Sequence, residues 1–272
     1  MVRSLWSGAT GMNAQQTNVD TIANNLANVN SVGYKAQVAQ FKSLLYQNLQ
    51  SVTTTANGDP KPTTSQVGLG VRTASINQIF TQGSLLDSAS DTSFAIEGDG
   101  FFALRGEDGD IFYTRNGDFT WALAGNNRMT LTNADGLPVL DTAGRAIVLP
   151  GNYIASNLSI TEDGQICYPD DQNNPQPIGV QIGTFQFNNP GGLKRVGDTL
   201  FVVTDASGRA LNEDTTADVQ KSRIVQGYLE GSNVQVANEM VNLIVAQRAY
   251  EMNSKSITTS DSMLEVANNL KR

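Results

Sequence analysis

The 272-residue sequence predicts an α+β fold. Long N- and C-terminal helices pair as a coiled coil around an inserted all-β domain, antiparallel and of irregular sandwich or barrel form, with an extended arm. Three observations carry this expectation. Proline is missing from residues 1–59 and 191–272, and glycine from 232–272, so the strongest helix breakers lie in the middle of the chain. Apolar residues recur every seven positions at both ends. Between about residues 92 and 226, short β-rich runs alternate with glycine turns. The expected division is a helical segment at 1–45, an arm or linker at 46–85, a β-rich domain at 86–228 and a C-terminal helix at 229–272.

In the first segment Leu5, Met12, Val19 and Leu26 stand seven apart, with Ile22 and Val29 on the same face. Gly8 and Gln15 interrupt the earlier turns of that second row. Gly33 is the expected helix stop, because glycine takes positive φ without steric cost. Phe41, Leu44, Leu45 and Leu49 suggest a shorter helical continuation. The stretch "TIANNLANVNSVGYK" (21–35) holds Asn24, Asn25, Asn28 and Asn30. Asparagine is a mediocre helix former, since its amide competes with the backbone for hydrogen bonds. Either this helix frays, or the amides meet partners outside its own folded unit.

Residues 51–66, "SVTTTANGDPKPTTSQ", read as a loop or extended arm. The β pattern that follows has turns at Asp99-Gly100, Asp108-Gly109, Asn116-Gly117, Asp135-Gly136 and Ala143-Gly144. Of these, Asp108-Gly109 and Asn116-Gly117 are good hairpin dipeptides. Gly98-Asp99-Gly100 is a β-turn and not a phosphate loop, since Phe101 and Phe102 begin a strand where a helix would be required.

The C-terminal repeat is cleaner: Val236, Leu243, Tyr250, Ile257 and Leu264. Met240, Gln247, Ser254 and Asp261 fill the intermediate positions, so half the seam is polar. Ser232 is the expected N-cap, Glu239 suits the positive helix start, and Lys271 and Arg272 suit its negative end. The helix should run roughly ten turns at ~3.6 residues per turn. Neither terminal helix can bury a narrow seam alone. Two arrangements answer this: a helical hairpin within one chain, or a coiled-coil layer in which many copies pack their terminal pairs.

Composition excludes several functions. Histidine is absent and Cys167 stands alone, which removes intramolecular disulfides, zinc-type clusters and the commonest general acid/base. The acidic aspartates 108, 110 and 118 lack EF-hand spacing, and turn chemistry accounts for them. No carboxylate pair stands out for glycoside hydrolysis. Three bases against one acid give residues 1–50 a charge of +2, while four of each cancel in 232–272, so residues 51–231 carry −10. An acidic middle disfavours nucleic acid. No apolar run is long enough to insert in a membrane, and the N-terminus lacks the h-region of a cleavable signal peptide.

Both ends carry a resemblance. "ANNLANVNSVGYK" (23–35) resembles the N-terminal signature of the bacterial flagellar rod and hook proteins, and residues 231–264 resemble their C-terminal signature. Ser232-Asn233-Val234, Glu239-Met240, Gln247 to Glu251, Asn253, Lys255, Thr259, Asp261 and Met263-Leu264 fall where that motif has them. "FAIEGDGFFAL" and "YTRNGDF" look like the family's β-domain. The opening 35 residues, "LLYQ" at 44–47 and "GLGVRT" at 68–73 look most like its distal-rod members. Ser31 stands where the family more often has Thr, and Gln235 where it commonly has an acid.

The resemblance implies a structural subunit of the flagellar basal body, neither an enzyme nor a cofactor binder. It would polymerise helically into the hollow distal rod, the drive shaft that carries torque from motor to hook. A hook or proximal rod protein, or a non-polymerising secreted scaffold, is the alternative. The implied partners are copies of itself, proximal rod and hook proteins, the P- and L-ring bushing proteins and the flagellar type III export apparatus. Export would proceed without a cleaved signal. The expected assembly interface comprises Leu5, Met12, Val19, Ile22, Asn24, Asn25, Leu26, Asn28 and Val29 at one end. At the other it comprises Val236, Met240, Leu243, Gln247, Arg248, Tyr250, Ile257 and Leu264.

Overall fold

The structure, a computed structural model, describes residues 2–50, 65–125, 127–170, 172, 174–197, 199–216 and 219–270. It is α+β, with a helix at each end and a mostly β middle. The chain separates into a helical unit, Met1–Ala27, Gln37–Gln78 and Gln235–Arg272, and a β unit, Asn28–Ala36 and Ile79–Val234.

The helical unit contains α1 (Val2–Ala27), strands β1 (Gln37–Ser43), β2 (Tyr46–Gln50), β3 (Ser65–Gly68) and β4 (Val71–Gln78), and α2 (Val236–Asn269). Strand β1 pairs antiparallel with β4, and β2 with β3. Helix α1 packs against α2 and also against the β1–β4 pair. At ~1.5 Å per residue, the 34 residues of α2 extend roughly 50 Å.

Three local expectations are corrected here. Helix α1 stops at Ala27, ahead of Gly33. Gly33 does take positive φ (+68°), but as a point of close approach: a Cβ there would stand 2.6 Å from the Asn116 nitrogen. Residues 37–50 form strands and not a second short helix, although Phe41, Leu44, Leu45 and Leu49 fit helical spacing. Along β1 the partly buried residues are Gln37, Ala39 and Phe41, a period of two set by pairing with β4. Leu45 remains 84% exposed. Finally, α2 has Gln235 as its N-cap residue, without a side-chain capping bond. Ser232 Oγ instead accepts the Val234 N–H at 3.3 Å. Residues 51–64 of the expected arm, and the last two basic residues, lie outside the described residues.

The β unit is built from small antiparallel sheets. The largest has six strands, in spatial order 194–197, 200–202, 111–114, 101–105, 184–186 and 211–212. Two three-stranded and two two-stranded sheets complete the unit, and among the described residues no sheet closes into a barrel. The strand Phe101–Arg105 shows why the sequence folds this way. Its apolar run serves two faces: Phe102 and Leu104 enter a core with Phe94, Phe119 and Leu131, while Phe101 and Ala103 enter another with Tyr113, Phe187 and Phe201. Asp108-Gly109 turns that strand into 111–114, as the dipeptide predicts. Asn116-Gly117 does not make a tight hairpin. A Cβ on Gly117 would sit 1.6 Å from the Phe94 carbonyl oxygen, so glycine is needed there for backbone approach.

Candidate assembly surface

The two helices of the helical unit run antiparallel. The Ser4 and Ser260 hydroxyls share a hydrogen bond at 3.1 Å, Gly8 lies against Ile257, and Gly11 against Asn253. A methyl group on Gly8 would stand 2.9 Å from Ile257 Cγ1, and one on Gly11 would stand 2.8 Å from Asn253 Nδ2. The gap that Gly8 leaves in the N-terminal repeat is therefore the space that Ile257 fills. Helices this close require small side chains on the other partner too. Ala246 and Ser260 are buried and Asn253 is half-buried, whereas Gln247 and Asp261, expected in the seam, are exposed. The row facing α1 is thus shifted by one residue from the expected intermediate positions, while Leu243, Ile257 and Leu264 remain half-buried as anchors.

The other expected interface residues fall into distinct places. Leu5, Met12, Val19 and Leu26 are half-buried and Ile22 is buried. Val19, Gln247 and Tyr250 come together, with Gln16 and Glu251, around an open groove of about 380 Å³. Val236, Met240 and Tyr250 are each at least 40% exposed, and Arg248 is exposed in an ion pair with Glu251 at 3.1 Å. Val29 packs in the β unit beside Tyr34, Ala36 and Val234.

The asparagines divide. Asn25 is 1% exposed, and its amide makes two 2.8 Å bonds to one residue of the same chain: Nδ2 donates to the Gln37 carbonyl and Oδ1 accepts the Gln37 N–H. That is the pairing a neighbouring strand would supply, so Asn25 ties the end of α1 to the start of β1. Its partner is intramolecular, contrary to the idea that this amide is reserved for another subunit. Asn28 Oδ1 accepts the Ser31 hydroxyl, whereas Asn24 is solvent-exposed.

Reading one stripe on α2 missed a second. Val241, Ile244, Val245, Met252, Met263 and Val266 are each more than half exposed. Scattered apolar side chains are ordinary on a surface, but a row of this length on one helix face is not. Also missed was a buried charge cluster in the β unit. Glu230, fully buried, receives Lys35 Nζ at 2.6 Å and Arg115 NH1 at 3.2 Å. Its Oε1 also accepts the Gly83 N–H, while Lys35 donates to the Thr81 carbonyl and Arg115 to the Gly98 carbonyl. Burial pushes the Lys35 ammonium below the usual lysine range, and Glu230 pulls it part of the way back. The signal was a single charge inside each of "GYKA", "YTRNG" and "YLEG", where apolar or turn residues surround it.

Among the described residues no cluster of metal-binding side chains occurs, and no helix is long and apolar enough to cross a membrane. Family models for flagella basal body rod protein, the flagellar hook protein FlgE/F/G D1 domain and the flagellar basal body rod FlgEFG protein C-terminal region match residues 5–35, 95–168 and 225–270. The flagellar basal-body rod protein FlgG of Borreliella burgdorferi is 44% identical over 274 residues, covering all of both chains. This chain belongs to the FlgG family of flagellar basal-body rod proteins. FlgG of Agrobacterium fabrum is 41% identical over 99% of this chain and all of its own, and FlgG of Bacillus subtilis is 36% identical over the whole of both. As an FlgG-family member the chain is a structural component of the flagellar basal body, not an enzyme, and it assembles with other flagellar components.

Proposed function

We propose that the chain is a subunit of the distal rod, polymerising helically into a hollow shaft that transmits torque from motor to hook. The observation that carries this reading is the exposed apolar row on α2, in a chain whose whole length matches rod proteins. Each α1–α2 pair acts as a coiled-coil hairpin whose outer rows are completed by the pairs of neighbouring copies, forming an inner tube. The β unit makes lateral and axial contacts outside it, and the 46–85 arm adds further ones. Val236, Met240, Tyr250 and Asn24, exposed in the single chain, lie in those contacts. Individual contacts are weak, but each subunit makes many at once. Proximal rod and hook proteins flank the shaft, the P- and L-ring proteins surround it, and the flagellar type III apparatus exports the chain without a cleaved signal.

Electron microscopy of concentrated protein tests this. Helical tubes are expected, and discrete small oligomers at every concentration would overturn the reading. Limited proteolysis of verified monomer provides a second measurement, in which α1 and α2 are cut before the β unit.

A further inference from the structure

The chain passes between its two units at Ala36–Gln37, Gln78–Ile79 and Val234–Gln235, as well as after Ala27. Inside the β unit, the residues flanking those three crossings converge on one side chain. Asn233 Oδ1 accepts the Ala36 N–H at 2.7 Å. Its Nδ2 donates to the Ile79 carbonyl at 2.8 Å and to the carbonyl and hydroxyl oxygens of Thr81 at 3.1 and 3.0 Å. Ile79 N–H closes the circuit by donating to the Ala36 carbonyl at 2.9 Å. The same Thr81 carbonyl accepts Lys35 Nζ, which reaches on to Glu230, whose own carbonyl accepts the Gly33 N–H at 2.7 Å. Beneath the circuit lie Tyr34, Ala36 and Val234, with the Arg195 guanidinium 5.0 Å from the Tyr34 ring centre.

We propose that Asn233 is a positioning residue for assembly: it fixes, within the β unit, the points from which the chain departs into β1, from which it arrives from β4 and from which it departs into α2. This rests on the rod-subunit reading. The site demands one acceptor and two donors on a short side chain, which an amide at this length provides. Aspartate would keep the acceptor but turn a carboxylate toward the carbonyls of Ile79 and Thr81. Glutamine would place the amide one methylene too far. The arrangement sets the three departure points relative to each other without contributing to the two apolar cores of the unit.

The test compares Asn233→Ala and Asn233→Asp with the unaltered full chain, and uses Thr81→Val as a control that removes only the shared hydroxyl. Amide exchange at Ala36 and Ile79 should accelerate by roughly tenfold or more in both Asn233 variants, as for local opening of a segment that has lost its ties. Exchange at Phe102 and Leu104, and the urea midpoint of the β unit, should stay near those of the unaltered chain. Rods isolated from cells of the source bacterium, with the gene replaced by each variant, should fall in number for both Asn233 variants and not for Thr81→Val. Unchanged exchange at Ala36 and Ile79, or normal rod yield despite faster exchange, overturns the proposal. Failure of the unaltered chain to enter rods would instead overturn the rod reading, and the assembly role with it, a result distinguishable from both.

Discussion

Replacing Glu230 by Gln removes the carboxylate that pairs with both cations of a buried cluster. The Glu230 side chain is 0% exposed, as is that of Lys35, and Arg115 is 2% exposed. Every group facing the carboxylate is a donor: Lys35 Nζ and the Gly83 N–H on Oε1, and Arg115 NH1 on Oε2. A glutamine oxygen can serve one side, but its NH₂ then faces a donor on the other. Breaking a buried charge network by removing one partner costs about 3–5 kcal/mol. For an unfolding slope of ~2 kcal/mol per molar urea, the midpoint should fall by roughly 2 M. Lys35→Met leaves the Arg115–Glu230 pair neutral overall, and the Thr81 carbonyl keeps the Asn233 amide as its donor, so the cost is mainly the lost Lys35 hydrogen bonds to Glu230 and Thr81, about 1–3 kcal/mol. The assay is urea unfolding of the full chain followed by Trp121, which packs against the main core, in a Trp6→Phe background that silences the exposed indole of α1.

The pH dependence gives a second check on the same cluster. Burial already lowers the Lys35 pKa in the folded chain below its unfolded value of about 10.5, and loss of Glu230 lowers it further. Between the folded and unfolded pKa values the unfolded chain binds more protons, so stability rises with pH across that window. The deficit of Glu230→Gln should therefore shrink as pH is raised toward 10.5, while that of the double variant with Lys35→Met should not. Equal losses for Glu230→Gln and Lys35→Met, or a loss under about 1 kcal/mol for the former, would show that the cluster is not the tightly desolvated network its geometry describes.

Leu243→Asp and Ile257→Asp each place a carboxylate in the half-buried row of α2, and should abolish tube formation in electron micrographs while leaving the Trp121 unfolding midpoint of the β unit unchanged. Gly8→Val drives a branched side chain into Ile257, where even a methyl would stand at 2.9 Å, and should destabilise the helix pair by about 1–3 kcal/mol, read as loss of helical circular dichroism on mild heating. The double variant with Ile257→Ala should recover part of that loss. Asn25→Ala strands both backbone groups of Gln37 and should cost about 1–3 kcal/mol in the helical unit, seen as faster proteolysis across residues 28–45.

The sequence carried what depends on periodicity and on chain breakers. The seven-residue repeat and the absence of proline and glycine signal a long C-terminal helix, and the glycine turns signal a mostly β middle. The seam was legible only as a direction. Its anchors, Leu243, Ile257 and Leu264, are where the repeat puts them, but the positions between were read as Gln247 and Asp261 when Ala246 and Ser260 face α1. Helix contact at glycine distance selects for small side chains, which a search for large apolar residues passes over. The end of α1 and strand β1 were not legible for a different reason. Phe41, Leu44, Leu45 and Leu49 have helical spacing, and antiparallel pairing of β1 with β4 and of β2 with β3, strands later in the chain, decides against it. Lys35, Arg115 and Glu230 were invisible as a set, because the burial of each depends on partners far apart in sequence.

Helix α2 has two apolar rows, and they face different fates. The row holding Leu243, Ile257 and Leu264 is half covered by α1 within the chain. The row holding Val241, Val245, Met252 and Val266 is exposed and interrupted by Arg248, Glu251 and Lys255. Fully burying a side chain of this size is worth about 1.5–3 kcal/mol, and only part of that remains to be gained at each site. One neighbour covering two or three of these residues gains too little to offset the several kcal/mol lost on association. Several neighbours contacting the row, the β unit and the arm together gain far more, because later contacts cost no further rigid-body freedom. A subunit built this way should stay dispersed as a monomer and commit only where a growing end offers many partners at once. That is the behaviour the proposed rod subunit requires.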